Sequence, residues 1–236
     1  MNQIFHAHRD RGHVSMGWLD SHHSFSFGHW YNPEKTNFGA LRVLNDDIVE
    51  PSMGFGTHPH QNMEIISIPL FGELAHKDSI GTIGVIQTGD VQIMSAGTGI
   101  QHSEFNHSND KKVNFLQIWI LPKKQNISPR YDQKSFSKTG RANKFQTVVS
   151  PNDDSAVWIN QDAYFSLADL DPGYSSTYNL HTQGQGAYVF LISGKVEING
   201  TILERRDALG IWDTDMFEIK PLIKSEVLVI EVPMKL

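Results

Sequence analysis

The chain has 236 residues and a formal net charge of -6, which disfavours a protein that binds nucleic acid through a broadly basic surface. It has no cysteine, so disulfides and thiolate metal sites are both excluded, and the 12 histidines and the carboxylates are the strong metal ligands that remain. Its length allows one large β domain or two domains of ordinary size, each with a proper hydrophobic core.

The N-terminus and the apolar stretches bear on where the protein works. The opening residues lack the basic start and apolar run of a secretion signal. No apolar stretch approaches the roughly 18 residues that a membrane-spanning helix needs. We therefore expect a cytoplasmic monomer that works away from membranes and makes no direct contact with nucleic acid.

The N-terminal region is dense in glycine, histidine and aromatic residues. Phe25 and Phe27 alternate with serine and glycine over residues 24–28, and this period of two is typical of a half-buried strand. The Tyr-Asn-Pro sequence at residues 31–33 ends the segment in a turn. We expect the segment to pack across the mouth or edge of a barrel rather than to supply metal ligands, because two later segments already offer a complete ligand set.

From residue 40 the chain is a series of short apolar stretches separated by turn residues. The pattern predicts strands at residues 40–44, 64–70, 73–76, 83–87, 91–94 and 113–121. No strongly amphipathic helix lies between them, which favours an antiparallel β-sandwich or barrel. Both faces of the stretch 113–121 are apolar, so we expect it to be covered on both sides, and Gln117 needs a hydrogen-bond partner if it is buried.

Two histidine-bearing stretches lie within this series. His58 and His60 are two residues apart, and successive side chains of a strand point to opposite faces, so this pair shares a face, as do His102 and Glu104. Three imidazoles and one carboxylate are donors that hold divalent first-row metals, and a six-coordinate ion keeps two positions open for chemistry. Glu64 would share the face of His60 on an unbent strand, so the sequence alone leaves Glu64 and Glu104 both open as the carboxylate ligand.

The second half repeats the rhythm of strands and turns. Residues from about 122 to 144 are polar and are predicted to be a linker between two domains. Strands are then predicted at residues 145–150, 156–160, 164–170, 176–180, 187–192, 195–199, 208–212, 216–220 and 226–232. Asn199 and Gly200 predict a two-residue hairpin loop, since both central residues of a type I′ turn need positive φ.

An internal repeat relates the two halves. Residues 70–74 match residues 192–196, and residues 89–93 match residues 206–210, which indicates two copies of one barrel. We predict an N-terminal barrel with the metal site over residues 1–130 and a degenerate C-terminal barrel over residues 131–236. Counting from these motifs aligns the four candidate ligands with residues that cannot rebuild the site, so the second barrel is expected to lack metal and to serve a structural role. The aligned residues are Leu180, Thr182, Ile219 and Pro221.

Three motifs together resemble those of the pirin family, particularly its bacterial members. They are GWLDSxHxFSFxxxYxP at residues 17–33, HPHxxxE at residues 58–64 and AGTGIxHSE at residues 96–104. They cover most of the first half, whereas the second half shares only its length and a degenerate barrel pattern. The resemblance implies an all-β bicupin, with two antiparallel double-stranded β-helix (jelly-roll) barrels in one chain.

The resemblance also implies the ligand set. In pirins the ligating glutamate lies two residues after the histidine of the second motif, which is the position of Glu104. The implied metal ligands are therefore His58, His60, His102 and Glu104, with Glu104 also the catalytic base. Glu64 is then expected to be a buried or paired carboxylate that orients an imidazole.

Bacterial pirins are known as flavonol ring-cleaving dioxygenases, so the resemblance implies an oxidoreductase of the quercetin 2,3-dioxygenase type that uses O₂ and a small planar aromatic flavonol. The implied cofactor is one divalent transition metal, with Fe(II) favoured and Ni, Co, Mn, Cu or Zn as alternatives. Phe55 and the N-terminal aromatic residues are candidates for stacking on the substrate. Three other readings stay open: a non-catalytic metal-binding regulatory protein of the pirin type, a metal that only stabilises the barrel, and a cupin acting on another enolisable substrate.

Overall fold

A computed structural model describes residues 1–235, which form 22 strands and two short 3-10 helices, His8–Asp10 and Lys138–Arg141. The strands are β1 Asn2–His6, β2 Gly12–Ser15, β3 Leu19–His23, β4 Leu41–Val49, β5 Gly54–His60, β6 Glu64–Phe71, β7 Glu73–Asp78, β8 Ile83–Gln87, β9 Asp90–Ser95, β10 Ile100–Asn106, β11 Val113–Ile120, β12 Arg130–Ser135, β13 Gln146–Ser150, β14 Val157–Trp158, β15 Tyr164–Leu170, β16 Ser176–Asn179, β17 Gln185–Ser193, β18 Lys195–Ile198, β19 Thr201–Glu204, β20 Ala208–Trp212, β21 Met216–Pro221 and β22 Ser225–Pro233. Every strand predicted from residue 40 onward overlaps one of these.

The strands form two pairs of sheets, and the all-β prediction is confirmed. In the first half a seven-stranded sheet, β12-β9-β6-β11-β4-β3-β2, accompanies a four-stranded sheet, β5-β10-β7-β8. In the second half the corresponding sheets are β1-β20-β17-β22-β15-β13-β14 and β16-β21-β18-β19. These are open sheets over residues 1–235, so the closed jelly-roll barrel stays a prediction. No helix in that range is long and apolar enough to cross a membrane.

Strand β11 shows how the core is divided. Val113 and Phe115 pack between the two sheets of the first half, whereas Leu116 and Ile118 belong to a core shared by the two halves. All four are fully buried, which confirms that the 113–121 stretch is covered on both faces. Each such side chain contributes roughly 1.5–3 kcal/mol of hydrophobic free energy relative to exposure. The two seven-stranded sheets therefore pack against each other over a continuous apolar core.

When the chain is divided at the predicted boundary, two strands pair with strands of the other half. Strand β1 pairs with β20 in the second half, and β12 pairs with β9 in the first half. Because β9 and β20 occupy equivalent places in their sheets, the start of the chain completes the second half and the segment after β11 completes the first. The boundary between residues 130 and 131 stays a prediction.

The prediction that residues 122–144 are only a linker was wrong. They include β12, whose polar side chains are used for hydrogen bonding to the first half. Gln133 donates through Nε2 to the Asp90 carboxylate at 2.8 Å and to the Val85 carbonyl at 3.1 Å. The low hydrophobicity of the segment therefore reflects an edge strand with polar contacts.

The half-buried strand predicted around Phe25 and Phe27 was also wrong. Strand β3 ends at His23, and the chain then turns irregularly. Phe25 is fully buried in the core between the halves, whereas Phe27 lines a cavity of the first half. The two rings thus alternate because they enter two different environments, without belonging to a sheet.

The internal repeat is visible in the turns and in the strand register. Gly72, between β6 and β7, and Gly194, between β17 and β18, both have positive φ, and the predicted Asn199–Gly200 turn has positive φ at both residues. Pairing with β7 and β18 aligns Glu104 with Ile219, not with Pro221 as counted from the motifs.

The alignment of β10 with β21 shifts because the second half has two fewer residues between its aspartate and this strand. Glu104 follows Asp90 by 14 residues, whereas Ile219 follows Asp207 by 12. The residues at the positions of the four candidate ligands offer no imidazole or carboxylate; they are Tyr178, Leu180, Phe217 and Ile219. That the second half holds no metal stays a prediction.

Candidate metal centre

Strands β5 and β10 pair in an antiparallel fashion and carry the candidate ligands. His102 lies directly opposite His58, and Ile100 lies opposite His60. The register then shifts, so that Glu104 lies opposite Phe55 and β5 carries one extra residue at this point. Such a bulge bends a strand and re-aims its side chains. The pairing brings the two separate sequence motifs to one place.

The three imidazoles converge through one ring nitrogen each. The Nε2 atom of His102 lies 3.0 Å from His58 Nε2 and 3.1 Å from His60 Nε2. The nearer carboxylate oxygen of Glu104 lies 3.9 Å from His102 Nε2. The structure therefore brings the three histidines into one group of potential ligands, and it places Glu104 beside one of them, His102.

Hydrogen bonding fixes which nitrogen of His58 faces the others. Its Nδ1 lies 2.8 Å from the carbonyl oxygen of Gly56, and a carbonyl only accepts, so Nδ1 carries the proton and Nε2 presents a lone pair. A proton on His102 Nε2 can satisfy only one of its two imidazole neighbours. Facing lone pairs of this kind are satisfied by a cation, and the donor set suits a divalent transition metal.

The electrostatics favour the neutral imidazole of His60 and His102, the form that metal ligation requires. Burial, with a smaller contribution from the neighbouring His58, lowers the pKa of His60 to about 4. Burial and the nearby His58, His60 and His76 lower the pKa of His102 further, to about 2. His60 and His102 are therefore neutral near pH 7 and can bind a cation without first releasing a proton.

Glu104 is buried and held by two polar neighbours. Ser67 donates from Oγ to one carboxylate oxygen at 3.2 Å, and Gln117 donates from Nε2 to the other at 3.2 Å. Gln117 thus has the partner that its burial was expected to require. Burial is the largest cause that raises the pKa of Glu104, to about 7, with a further contribution from the carboxylate of Asp47. A nearby cation would oppose this shift.

Glu64 lies outside the histidine group. Its carboxylate accepts hydrogen bonds from Ser95 Oγ at 2.7 Å and from the backbone N–H of Asn160 at 3.1 Å. Asn160 belongs to the second half, so Glu64 links the halves and its carboxylate does not contact an imidazole. Of the two carboxylates that the sequence left open, Glu104 is the one beside the histidines.

A cavity of ≈ 300 Å³ reaches the site from the side of the N-terminal segment. His58 and Glu104 form part of its wall, and most of the remaining wall is apolar or aromatic. The aromatic residues are Trp18, Phe27, Phe55, Phe115 and Trp119. The N-terminal segment therefore covers the site as expected, although Tyr31 is 72% exposed and does not line the cavity.

His76 is a residue near the site that the sequence interpretation missed. Its ring centroid lies 5.3 Å from that of His102, and its Nε2 lies 3.0 Å from the fully buried carboxylate of Asp78. With His102 and Glu104 it forms a second buried group of potential ligands. The available signal was the spacing of His76 and Asp78, which places both on one face of β7, next to β10.

Comparisons with known proteins agree with this geometry. Residues 4–120 match the pirin family, and residues 147–232 match the family described as the quercetinase C-terminal cupin domain. A protein named quercetin 2,3-dioxygenase from Escherichia coli strain K12 is 40% identical over 225 residues, covering 95% of this chain and 96% of its own length. A pirin-like protein from Caulobacter vibrioides is 40% identical over 222 residues, covering 93% of this chain and 95% of its own.

A solved structure is similar throughout. The bacterial pirin YhhW from Escherichia coli, crystallised in complex with nickel(II), superposes with a TM-score of 0.93 at 39% identity, covering 98% of this chain and 99% of that one. The two sheet pairs described above are thus an N-terminal and a C-terminal cupin domain. With these matches along nearly its whole length, the chain belongs to the pirin family.

Proposed function

We propose that this protein is a metal-dependent dioxygenase that cleaves the ring of a flavonol such as quercetin with O₂. The observation that carries the proposal is that two of the candidate ligands, His58 of the three-histidine group and the buried Glu104, form part of the wall of a largely apolar, aromatic cavity. A metal with only a stabilising role does not require such a cavity beside it. The name of the Escherichia coli relative and the nickel complex of the similar structure support the same reading.

The cavity suits a planar aromatic substrate. Trp18 and Phe55 meet edge to face, with ring centroids 5.4 Å apart, and Trp119 packs edge to face against Phe27 at 5.3 Å. Aromatic walls of this kind bury a flat ring system and orient it by offset or edge contacts. The polar end of the bound molecule then faces His58 and Glu104.

The four residues that would hold the cation are His58, His60, His102 and Glu104. When bound, a divalent ion supplies Lewis acidity and a binding place for the neighbouring hydroxyl and carbonyl oxygens of a flavonol. We favour Fe(II) as the physiological ion, with Ni, Co, Mn, Cu and Zn as alternatives. Affinity alone favours the later metals in any such site, so the metal that binds most tightly does not identify the physiological one.

Glu104 supplies the proton chemistry in this proposal. Its carboxylate accepts the proton of the flavonol hydroxyl, while Ser67 and Gln117 hold it in place. Burial favours the protonated form of Glu104, and a bound cation would oppose this and favour the carboxylate that accepts the proton. Loss of the hydroxyl proton makes the flavonol ring electron-rich enough to react with O₂, and the apolar wall keeps water away.

The test is reconstitution of the metal-free protein with each of the six metals separately. Loss of quercetin and uptake of oxygen are followed together, and a dioxygenase consumes both in equal molar amounts. We expect His58→Ala and Glu104→Gln to abolish turnover, whereas Glu64→Gln, which changes a buried carboxylate outside the histidine group, retains it.

The outcomes separate the enzyme from the alternative. No turnover with any of the six metals, while metal still binds to the wild-type protein, contradicts the proposal and favours a metal-binding regulatory protein. Turnover that survives His58→Ala contradicts the ligand assignment. The cytoplasmic location and the monomeric state expected from the sequence stay predictions.

A further inference from the structure

A second group of potential metal ligands lies on the hairpin of β2 and β3. His13 on β2 is directly opposite His22 on β3, and Ser15 is opposite Asp20. Because side chains alternate along a strand, His13, His22 and Asp20 project from the same face of this two-stranded unit. None of the three belongs to the proposed centre at His58, and the proposed dioxygenase chemistry does not use them.

The ligand atoms already face one another. His13 Nε2 lies 3.0 Å from Asp20 Oδ1, and His22 Nδ1 lies 3.4 Å from the same oxygen. The two imidazole rings stack with centroids 4.4 Å apart and an angle of 20° between their planes. One oxygen and two ring nitrogens thus lie within 4.8 Å of one another, on a paired stretch of backbone.

The three side chains are exposed enough for a cation to reach them from solvent. The side chains of His13, Asp20 and His22 are 51%, 48% and 41% exposed, so an ion can enter and keep water as its remaining ligands. An exposed His-Asp contact contributes little stability by itself, so stability does not explain why two histidines share one carboxylate.

The opposite face of the same hairpin covers the cavity. Val14, Met16, Leu19, Ser21 and His23 line the cavity wall, while the three potential ligands face outward. An ion that joins β2 to β3 on the outside therefore stiffens the element that closes the cavity on the inside.

We propose that His13, Asp20 and His22 form a second, solvent-exposed site for a divalent transition metal, with two imidazole nitrogens and one carboxylate oxygen as ligands. This donor set suits Zn²⁺, which is commonly held by three protein ligands and water. Occupation of the site fastens the β2–β3 hairpin over the cavity. The site is separate from the proposed dioxygenase centre and does not depend on that activity.

The test uses Zn²⁺ as the probe and the full-length protein stripped of metal. Bound zinc is counted after equilibrium dialysis against a buffered low free concentration, for wild type, for the His13→Gln, His22→Gln double variant and for His107→Gln, which changes an exposed histidine elsewhere. We expect the double variant to lose one equivalent relative to wild type, and His107→Gln to lose none. A His58→Gln, His60→Gln variant is expected to keep the equivalent that depends on His13 and His22.

Hydrogen exchange gives a second readout that needs no catalytic turnover. Zn²⁺ is expected to slow amide exchange within residues 12–23 in wild type and in His107→Gln, but not in the His13→Gln, His22→Gln variant. Equal zinc content in the double variant and wild type, or equal exchange in this segment with and without zinc, would overturn the proposal. If the His58→Gln, His60→Gln variant does not fold, the comparison of wild type with the hairpin variants still decides the question.

Discussion

Gln117 donates a hydrogen bond to Glu104, and the Ser67 hydroxyl, which has one proton to donate, lies 2.8 Å from Gln117 Oε1 and 3.2 Å from the Glu104 carboxylate. Gln117 lies on β11 and Ser67 on β6, so the seven-stranded sheet orients a carboxylate that projects from the four-stranded sheet. Hydrogen bonds behind a metal-binding carboxylate fix its direction. The site therefore depends on both sheets of the first domain.

Gln117→Leu removes this donor at similar volume. We expect metal affinity to fall about 10- to 100-fold, the range typical of lost partners behind ligands. Competition with a chromogenic chelator measures the dissociation constant. The matched control is Gln92→Leu, because Gln92 is buried in the same sheet and its Nε2 makes no hydrogen bond. Equal metal affinity in the two variants contradicts the assigned role of Gln117.

Glu64 gives a prediction about stability and pH. Burial is the largest cause that raises its pKa from 4.5 to about 7, while the bonds from Ser95 and Asn160 oppose the shift. Between these values the unfolded chain releases the proton and the folded protein keeps it, so folding stability falls as pH rises. In Glu64→Gln this contribution is absent, and its full size is on the order of 3 kcal/mol.

Urea unfolding at a series of pH values from 4.5 to 8 measures the effect, with both proteins in the same metal state. The stability of the wild type minus that of Glu64→Gln is expected to decrease across this interval. Glu218→Gln, which changes an exposed carboxylate, serves as the control. A difference that is independent of pH contradicts the proposed protonation of Glu64.

The candidate metal centre was the part most open to prediction from sequence, because its candidate ligands lie two residues apart on strands. The period of two holds on any extended segment, so His58 with His60 and His102 with Glu104 needed no long-range information. The choice between Glu64 and Glu104 did need it. The backbone amide of Asn160, which engages Glu64, lies 96 residues away along the chain.

The pairing of β1 with the second half and of β12 with the first half could not be predicted from local sequence patterns, for the same reason. Residues 2–6 form β1, of which only His6 is buried, and nothing in this short segment specifies pairing with β20 some 200 residues later. Strand β12 lacked the apolar alternation used to recognise strands, because its polar side chains bond to neighbouring strands. The hydrophobic pattern identified strands with an apolar face but missed these polar edge strands.

Phe55→Ala tests the aromatic wall of the cavity. The ring of Phe55 lies edge to face against Trp18, and its loss removes apolar contact area that a flat ligand would use. We expect quercetin binding to the metal-loaded protein to weaken by about 1–3 kcal/mol, or roughly 5- to 150-fold, since one aromatic side chain buries a large area. Fluorescence quenching measures the dissociation constant.

The control for this change is Phe105→Ala. Phe105 lies on β10 next to Glu104, but it is 40% exposed and does not line the cavity. Its substitution is expected to leave quercetin affinity unchanged. If both variants bind quercetin like the wild type, the ligand does not occupy this cavity.

Arg206 carries the last prediction, which concerns the contact between the two domains. Its Nε lies 2.7 Å from the Asp46 carboxylate, and its Nη2 donates to Asn114 Oδ1 at 3.0 Å, so a residue of the second domain binds two residues of the first. The side chains of Arg206 and Asp46 are only 12% and 10% exposed. Removing Arg206 takes away the nearer of the two cations beside the buried Asp46, the other being Arg11 at 3.9 Å.

We expect Arg206→Met to lower the free energy of unfolding by about 3 kcal/mol, measured by urea denaturation. Arg205→Met, at the exposed neighbouring position, is expected to change it by less than about 0.5 kcal/mol. If Arg206→Met is no more destabilising than Arg205→Met, the ion pair does not hold the domains together, and the shared apolar core does so alone.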